Sequence, residues 1–471
     1  MVVALKKFEW SNYELSRAPT IELGDYKIKA YGRDEEIAAF VSEYADYSAK
    51  STRLMCRLLA YWGTGKSTYL YNLCHRVNER LFFGDEIENP KTGDFTHALA
   101  FFEKLAVKRA KLVECVYNDG LPWPWDTKTP RNVAPEMGKE AWRECLRKLA
   151  HIILRRSVFE IKRKHLEETA LGGSKLRKDV LEYVASSAEV KTSELIQNMA
   201  KEYKSNDQFF DECGELMRYY IRMLLPSIET RKGNRKIVSQ ETFEQQFPLF
   251  LYPCDSSKFL GAYKELFPSD PDMNLRFFPA FEKILKAART FLLLAFDEVE
   301  DWSLVTKDKI DNDLHDIAVD AESQLSLVLI VRTDTLRYIK SELAYGTYMT
   351  IFDRLENLRM RPLSTESIKN LTAEILSTAR DGEPKIFPLT EDFIGKLASM
   401  TKRAGAFNIR TYLRALKMLL PESLEWKREK PELTADLLEQ KKADELVNEA
   451  IKAEEKEAKF VAAQPPKRFE A

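Results

Sequence analysis

Residues 60–68 read Ala60-Tyr61-Trp62-Gly63-Thr64-Gly65-Lys66-Ser67-Thr68, and this stretch decides the fold. On its N-terminal side the apolar run Leu54 to Ala60 (LMCRLLA) reads as a short buried strand, and on its C-terminal side Ser67 to Arg80 reads as a helix. Strand, glycine loop and helix together make a phosphate cradle: backbone N–H groups wrap the phosphate oxygens and the positive end of the helix faces them. The stretch matches GxxxxGK[ST] except at Ala60, a small residue at the strand end. Gly63 and Gly65 give the backbone room to approach the phosphates, Lys66 reaches the outer ones, and the Ser67 hydroxyl is placed to hold Mg²⁺. Gly63, Thr64, Gly65, Lys66, Ser67 and Thr68 are therefore the nucleotide-binding candidates.

Further along, Phe291 to Phe296 is an apolar run that ends in Asp297-Glu298. A carboxylate at the C-terminal end of a central strand binds Mg²⁺, and its neighbour orients and deprotonates an attacking water. Asp297 takes the first role in this reading and Glu298 the second. A second continuous run, Leu325 to Val331 (LSLVLIV), also has the character of a parallel strand covered on both faces. The predicted fold class is α/β: a P-loop NTPase parallel sheet with helices on both faces, an all-α insertion and an α-helical lid. A further strand is predicted at Leu112 to Tyr117 (LVECVY), before a Pro/Trp-rich loop.

In their order along residues 31 to about 420, these parts resemble the AAA+ ATPases, in the clade of origin-recognition-like and STAND-like members. Tyr31-Gly32-Arg33 followed by Asp-Glu-Glu-Ile is similar to that clade's GRxxEI motif, which implies that Gly32 and Arg33 border the adenine. The resemblance also implies a polar sensor after the second apolar strand, Thr333, and an arginine finger in Ile351-Phe352-Asp353-Arg354, with Arg354 reaching a neighbouring subunit's nucleotide. Gly405-Ala406-Phe407-Asn408-Ile409-Arg410 resembles the second sensor of the lid, with Arg410 at the γ-phosphate. Implied with these are ATP and Mg²⁺ as cofactors, Mg-dependent ATP hydrolysis and a homo-oligomer. The alternative reading is a nucleotide-stabilised protein-interaction platform with little turnover.

Lys66 and Asp297 stand 231 positions apart, far more than a compact strand–helix–strand core needs between such sites. The expected organisation is an N-terminal segment (1–30), a nucleotide-binding core in two pieces (31–135 and 246–362), a helical insertion (136–245), a lid (363–425) and a charged tail (426–471) that is solvated. Within the insertion, Arg143, Arg147, Lys148, Arg155, Arg156, Lys162, Arg163 and Lys164 recur along one predicted helix. Such a stripe either tracks DNA phosphates, through Arg143, Arg147, Arg155 and Arg156, or is a solvated face offset by neighbouring glutamates. The insertion is also a candidate surface for a protein partner.

Composition narrows the rest. The chain has 471 residues with 44% hydrophobic and 31% charged, enough apolar content to fold and only 17 glycines, which favours helix. Lys plus Arg number 73 and Asp plus Glu 74, so no global field attracts nucleic acid or an anionic membrane. The six cysteines have no metal-ligand spacing and read as buried reduced thiols, and no apolar run approaches a membrane span; a cytoplasmic protein is expected.

Overall fold

A computed structural model of the chain describes residues 30–60, 63–84, 87–88, 95–104, 139–186, 192–203, 206–223, 239–266, 284–297, 324–332, 355–358, 360–378, 386, 388–403, 406–422 and 432–463. Helix α1 (Asp34–Ala49) opens them, with Asp34, Glu35 and Glu36 in its first turn where carboxylates complement the helix dipole. Strand β1 (Met55–Ala60) leads into the glycine loop and helix α2 (Lys66–Val77). The short β2 (Ile87–Glu88) runs antiparallel to β3 (Phe95–Lys104). After the helical block come β4 (Thr290–Asp297), β5 (Leu325–Arg332) and β6 (Glu356–Leu358).

These strands form one six-stranded sheet in the order β2-β3-β4-β5-β1-β6, and every pairing except β2 with β3 is parallel. From β1 the chain crosses to β3, returns through β4 and β5, and then passes to the far side of β1 at β6. The strand order thus reverses beside β1, and in open parallel sheets the crevice at the carboxyl ends of such strands is where ligands bind.

Both sheet faces are apolar, as parallel strands between helical layers require. In β4 the alternation is strict: Phe291, Leu293 and Ala295 belong to a core shared with α1 and α2, whereas Leu292 and Leu294 face the opposite layer. That opposite layer is supplied by the helices between the two halves of the sheet: α3 (Lys139–Arg163), α4 (Glu167–Leu171), α5 (Lys175–Ser186), α6 (Thr192–Glu202), α7 (Asn206–Met223), α8 (Gln240–Gln246) and α9 (Ser257–Leu266). Trp142, Leu149, Ile153 and Leu216 share one hydrophobic cluster with Leu99, Phe101, Leu292 and Leu327 of the sheet. The segment expected as a helical insertion is packed on the sheet as one wall of the α/β sandwich. The all-helical content predicted for 136–245 holds for its described residues.

The third cluster lies in the segment expected as the lid, and is called the lid below; it is built from α10 (Thr365–Thr378), α11 (Glu391–Met400), the two-residue pair β7 (Lys402–Arg403) and β8 (Ala406–Phe407), α12 (Ile409–Glu422) and α13 (Lys441–Ala463). The expectation of a solvated tail is corrected here. Leu433, Leu437, Leu438, Ala443, Val447 and Ala450 are buried in the same cluster as Tyr412, Leu416 and Leu419, so α13 is the lid's last helix. Lys441, Lys442, Asp444, Glu445, Glu449 and Lys452 are exposed on its outer face and had masked an apolar stripe at helical spacing.

Strands β1, β4 and β5 lie where the apolar runs predicted them. Strand β3 does not: the strand placed at Leu112 to Tyr117, with the boundary near Pro135, lies outside the described residues, while the wholly unanticipated Phe95–Lys104 pairs with β4 along its length.

Candidate nucleotide site

The glycine loop depends on backbone conformations that side chains disfavour. Gly63 has φ +79° and Gly65 φ +83°, the left-handed region open to glycine at no steric cost. Gly65 is also the residue before α2, so the loop turns directly into the helix N-terminus. Lys66 is buried in the first turn, with Ser67 and Thr68 following it half-buried.

The carboxylate comes from the other side of the sheet's centre. By the alternation of β4, Asp297 continues the Phe291, Leu293, Ala295 series and so faces the α1/α2 layer. Strand β5 separates β4 from β1, so a group above β1 must cross two strand spacings, about 10 Å. Helix α2 spans that gap, and the Ser67 hydroxyl donates a hydrogen bond to Asp297 Oδ2. Asp297 is 4% exposed. Residues 230 apart in sequence thus meet at the crevice, as the reading of Ser67 and Asp297 as one Mg²⁺ site requires. A serine hydroxyl and a carboxylate are the hard oxygen donors Mg²⁺ prefers, so the residues fit that ion.

The Gly32-Arg33 motif ties core to lid. Gly32 has φ +68°, and a Cβ on it would fall closer than 3.0 Å to Ser367 of α10. The Arg33 guanidinium donates to the Arg361 carbonyl and to Glu36 Oε2 at 2.9 Å, while the Arg361 N–H donates to Glu36 Oε1 at 2.8 Å. Arg361 immediately precedes Pro362, where the chain leaves the sheet for the lid. Beside this junction a pocket of about 140 Å³ is lined by Pro362, Leu363, Thr365, Ile368, Ala398 and Phe407, among others.

From the lid, α12 reaches the glycine loop: the backbone N–H groups of Ile409 and Arg410 both donate to the Gly63 carbonyl, at 3.0 and 3.4 Å. The backbone of Arg410 is therefore next to the loop. Glu298, Thr333 and Arg354 lie outside the described residues. Asn408, 1% exposed, is a site residue that sequence reading passed over. Its signal was an asparagine directly before a helical run, a common N-cap.

The basic stripe is corrected by its surroundings. Arg156 is 1% exposed and donates to the Phe95 carbonyl at 3.0 Å, and Lys148 is buried. The Arg155 and Arg156 guanidinium carbons lie 4.7 and 5.6 Å from the Phe95 ring centroid, and Arg143 lies 5.9 Å from that of Tyr263. Arg147 is half-buried, 3.9 Å from Glu144. Arg155 and Arg156 thus fasten α3 to β3 and Arg143 meets α9, so these side chains do not form an open track for phosphates. Among the described residues no helix is long and apolar enough to cross a membrane. No family model, curated protein or solved structure matches this chain.

Proposed function

We propose that the chain binds and hydrolyses ATP with Mg²⁺, as a nucleotide switch of the AAA+ kind. The observation that carries this reading is the Ser67–Asp297 hydrogen bond at the carboxyl ends of parallel strands, beside a glycine loop that opens into α2. Loop N–H groups and Lys66 would hold the phosphates, and Ser67 and Asp297 would hold Mg²⁺, which when bound neutralises charge building on the transferred phosphoryl group. Glu298, next in sequence to Asp297, would take the proton of the attacking water. The lid pocket between Leu363 and Phe407, close to Gly32, would receive the base. Arg410 would approach the γ-phosphate, Thr333 would orient the phosphate-side water, and Arg354 would act across the boundary of a homo-oligomer. DNA binding through α3 is not part of this proposal.

The test is equilibrium ATP binding with and without Mg²⁺, alongside phosphate release. Lys66→Ala should abolish binding at micromolar nucleotide, Asp297→Asn should remove its Mg²⁺ dependence, and Glu298→Gln should lower turnover by about a hundredfold or more while binding survives. ATP affinity unchanged by Lys66→Ala would overturn the reading.

A further inference from the structure

The first turn of a helix leaves four backbone N–H groups without partners inside the helix. In α12 the N–H groups of Ile409, Arg410 and Thr411 in that turn all find partners, two of them on the glycine loop, while the Tyr412 N–H makes the helix's first internal bond. The Thr411 N–H donates to Asn408 Oδ1 at 3.0 Å and the Tyr412 N–H to the Asn408 carbonyl at 3.0 Å. The Ile409 and Arg410 N–H groups donate to the Gly63 carbonyl. The carbonyl of a phosphate-loop glycine is thus part of the cap of a lid helix.

Asn408 sets this arrangement. Its side chain caps α12, and it also lies in the space a side chain at residue 63 would need: a Cβ on Gly63 would come closer than 3.0 Å to Asn408 Oδ1. In a trans peptide the carbonyl and the following N–H point in opposite directions. Fixing the Gly63 carbonyl on α12 therefore turns the Thr64 N–H away from the lid. The lid thus holds the plane of the Gly63–Thr64 peptide through its carbonyl.

We infer that Asn408 is a positioning residue for nucleotide binding, seating the first turn of α12 on the Gly63 carbonyl so that the Thr64 N–H faces the phosphates; this rests on the ATP reading of the glycine loop. Coupling of this kind is reciprocal: what the lid does for the loop, bound nucleotide does for the lid. Nucleotide binding accordingly strengthens the Ile409 and Arg410 bonds.

The experiment is titration of a fluorescent ATP analogue into the full chain carrying Asn408→Ala, Asn408→Ser or Lys66→Ala, with hydrogen exchange of residues 409–411 followed with and without nucleotide. Serine caps helices about as well as asparagine. Asn408→Ala should weaken binding about fivefold to tenfold and Asn408→Ser should restore most of it, as loss of a cap predicts. In the parent chain nucleotide should slow exchange at Ile409 and Arg410, and in Asn408→Ala that response should shrink. Wild-type affinity in Asn408→Ala, or exchange at 409–411 indifferent to nucleotide while Lys66→Ala loses binding, would overturn this inference alone. Binding that survives Lys66→Ala would remove the ATP reading and this inference with it.

Discussion

A single glycine shows how tightly core and lid are fitted. Gly32 sits in a left-handed conformation and its Cα faces Ser367, whose own Cβ is fixed by the backbone of α10. Alanine at 32 must accept an unfavourable φ and push α10 away, while the Arg33 and Glu36 bonds to Arg361 hold that junction in place. We expect Gly32→Ala to destabilise the protein by about 2–5 kcal/mol, the sum of left-handed strain and overpacking. Urea unfolding would measure it. Ser367→Gly in the same chain should recover the part due to the clash and leave the part due to φ. Full recovery would show that backbone strain contributes nothing, and no recovery that the contact with α10 is irrelevant.

At the scale of elements, what the sequence revealed and what it hid have physical reasons. Strands β4 and β5 announce themselves as unbroken apolar runs because both of their faces are covered. Strand β3 (FTHALAFFEK) is buried from Phe95 to Phe102, yet Thr96 and His97 interrupt its apolar run, and the residues before it, Asn89 to Asp94, are mostly polar. The glycine loop and its partner Asp297 were legible because the chemistry fixes residue types at fixed places. Asn408 was not, since its role arises from contact with a loop 345 positions earlier in the chain, and no local pattern encodes that distance. Helix α3 misled in the opposite sense. Its arginines have the spacing of a solvated stripe, but long side chains also bury their stems while their heads find carbonyls and ring faces. Arg156 ties α3 to the first residue of β3 through the Phe95 carbonyl. Arg156→Met keeps the apolar stem and removes the donor, leaving a buried carbonyl without this partner. A loss of about 1–3 kcal/mol in urea unfolding is expected. Arg163→Met, at an exposed side chain that pairs with the buried Glu160 across one turn, should cost less, about 1 kcal/mol. Equal effects at the two positions would return α3 to the reading of a solvated helix.

Across the whole molecule the same α3–β3 interface carries a consequence for pH. His97 of β3 and His151 of α3 are both buried. Burial, reinforced by Lys148, Arg155 and Arg156 around His97 and by Arg147 and Lys148 near His151, holds both imidazoles well below the ordinary histidine value of 6.5. For His97 a backbone hydrogen bond at Leu81 opposes this. In the folded protein both rings stay neutral at mildly acid pH, whereas in the unfolded chain they take up protons below about pH 6.5. The unfolded state then binds up to two more protons than the folded one, so stability falls as pH falls. The two rings contribute no pH dependence well above pH 6.5, and below it they lower stability by about 1.4 kcal/mol per pH unit each until the folded rings themselves protonate. Chemical denaturation from pH 8 to pH 5 should show a plateau followed by a steep decline. The variant His97→Gln with His151→Gln has neutral side chains of similar reach in both states, so it should flatten the decline above the range where carboxylates titrate. A decline just as steep in that double variant would place the acid sensitivity in other groups. A stability that rises toward pH 5 would mean these imidazoles are charged in the fold.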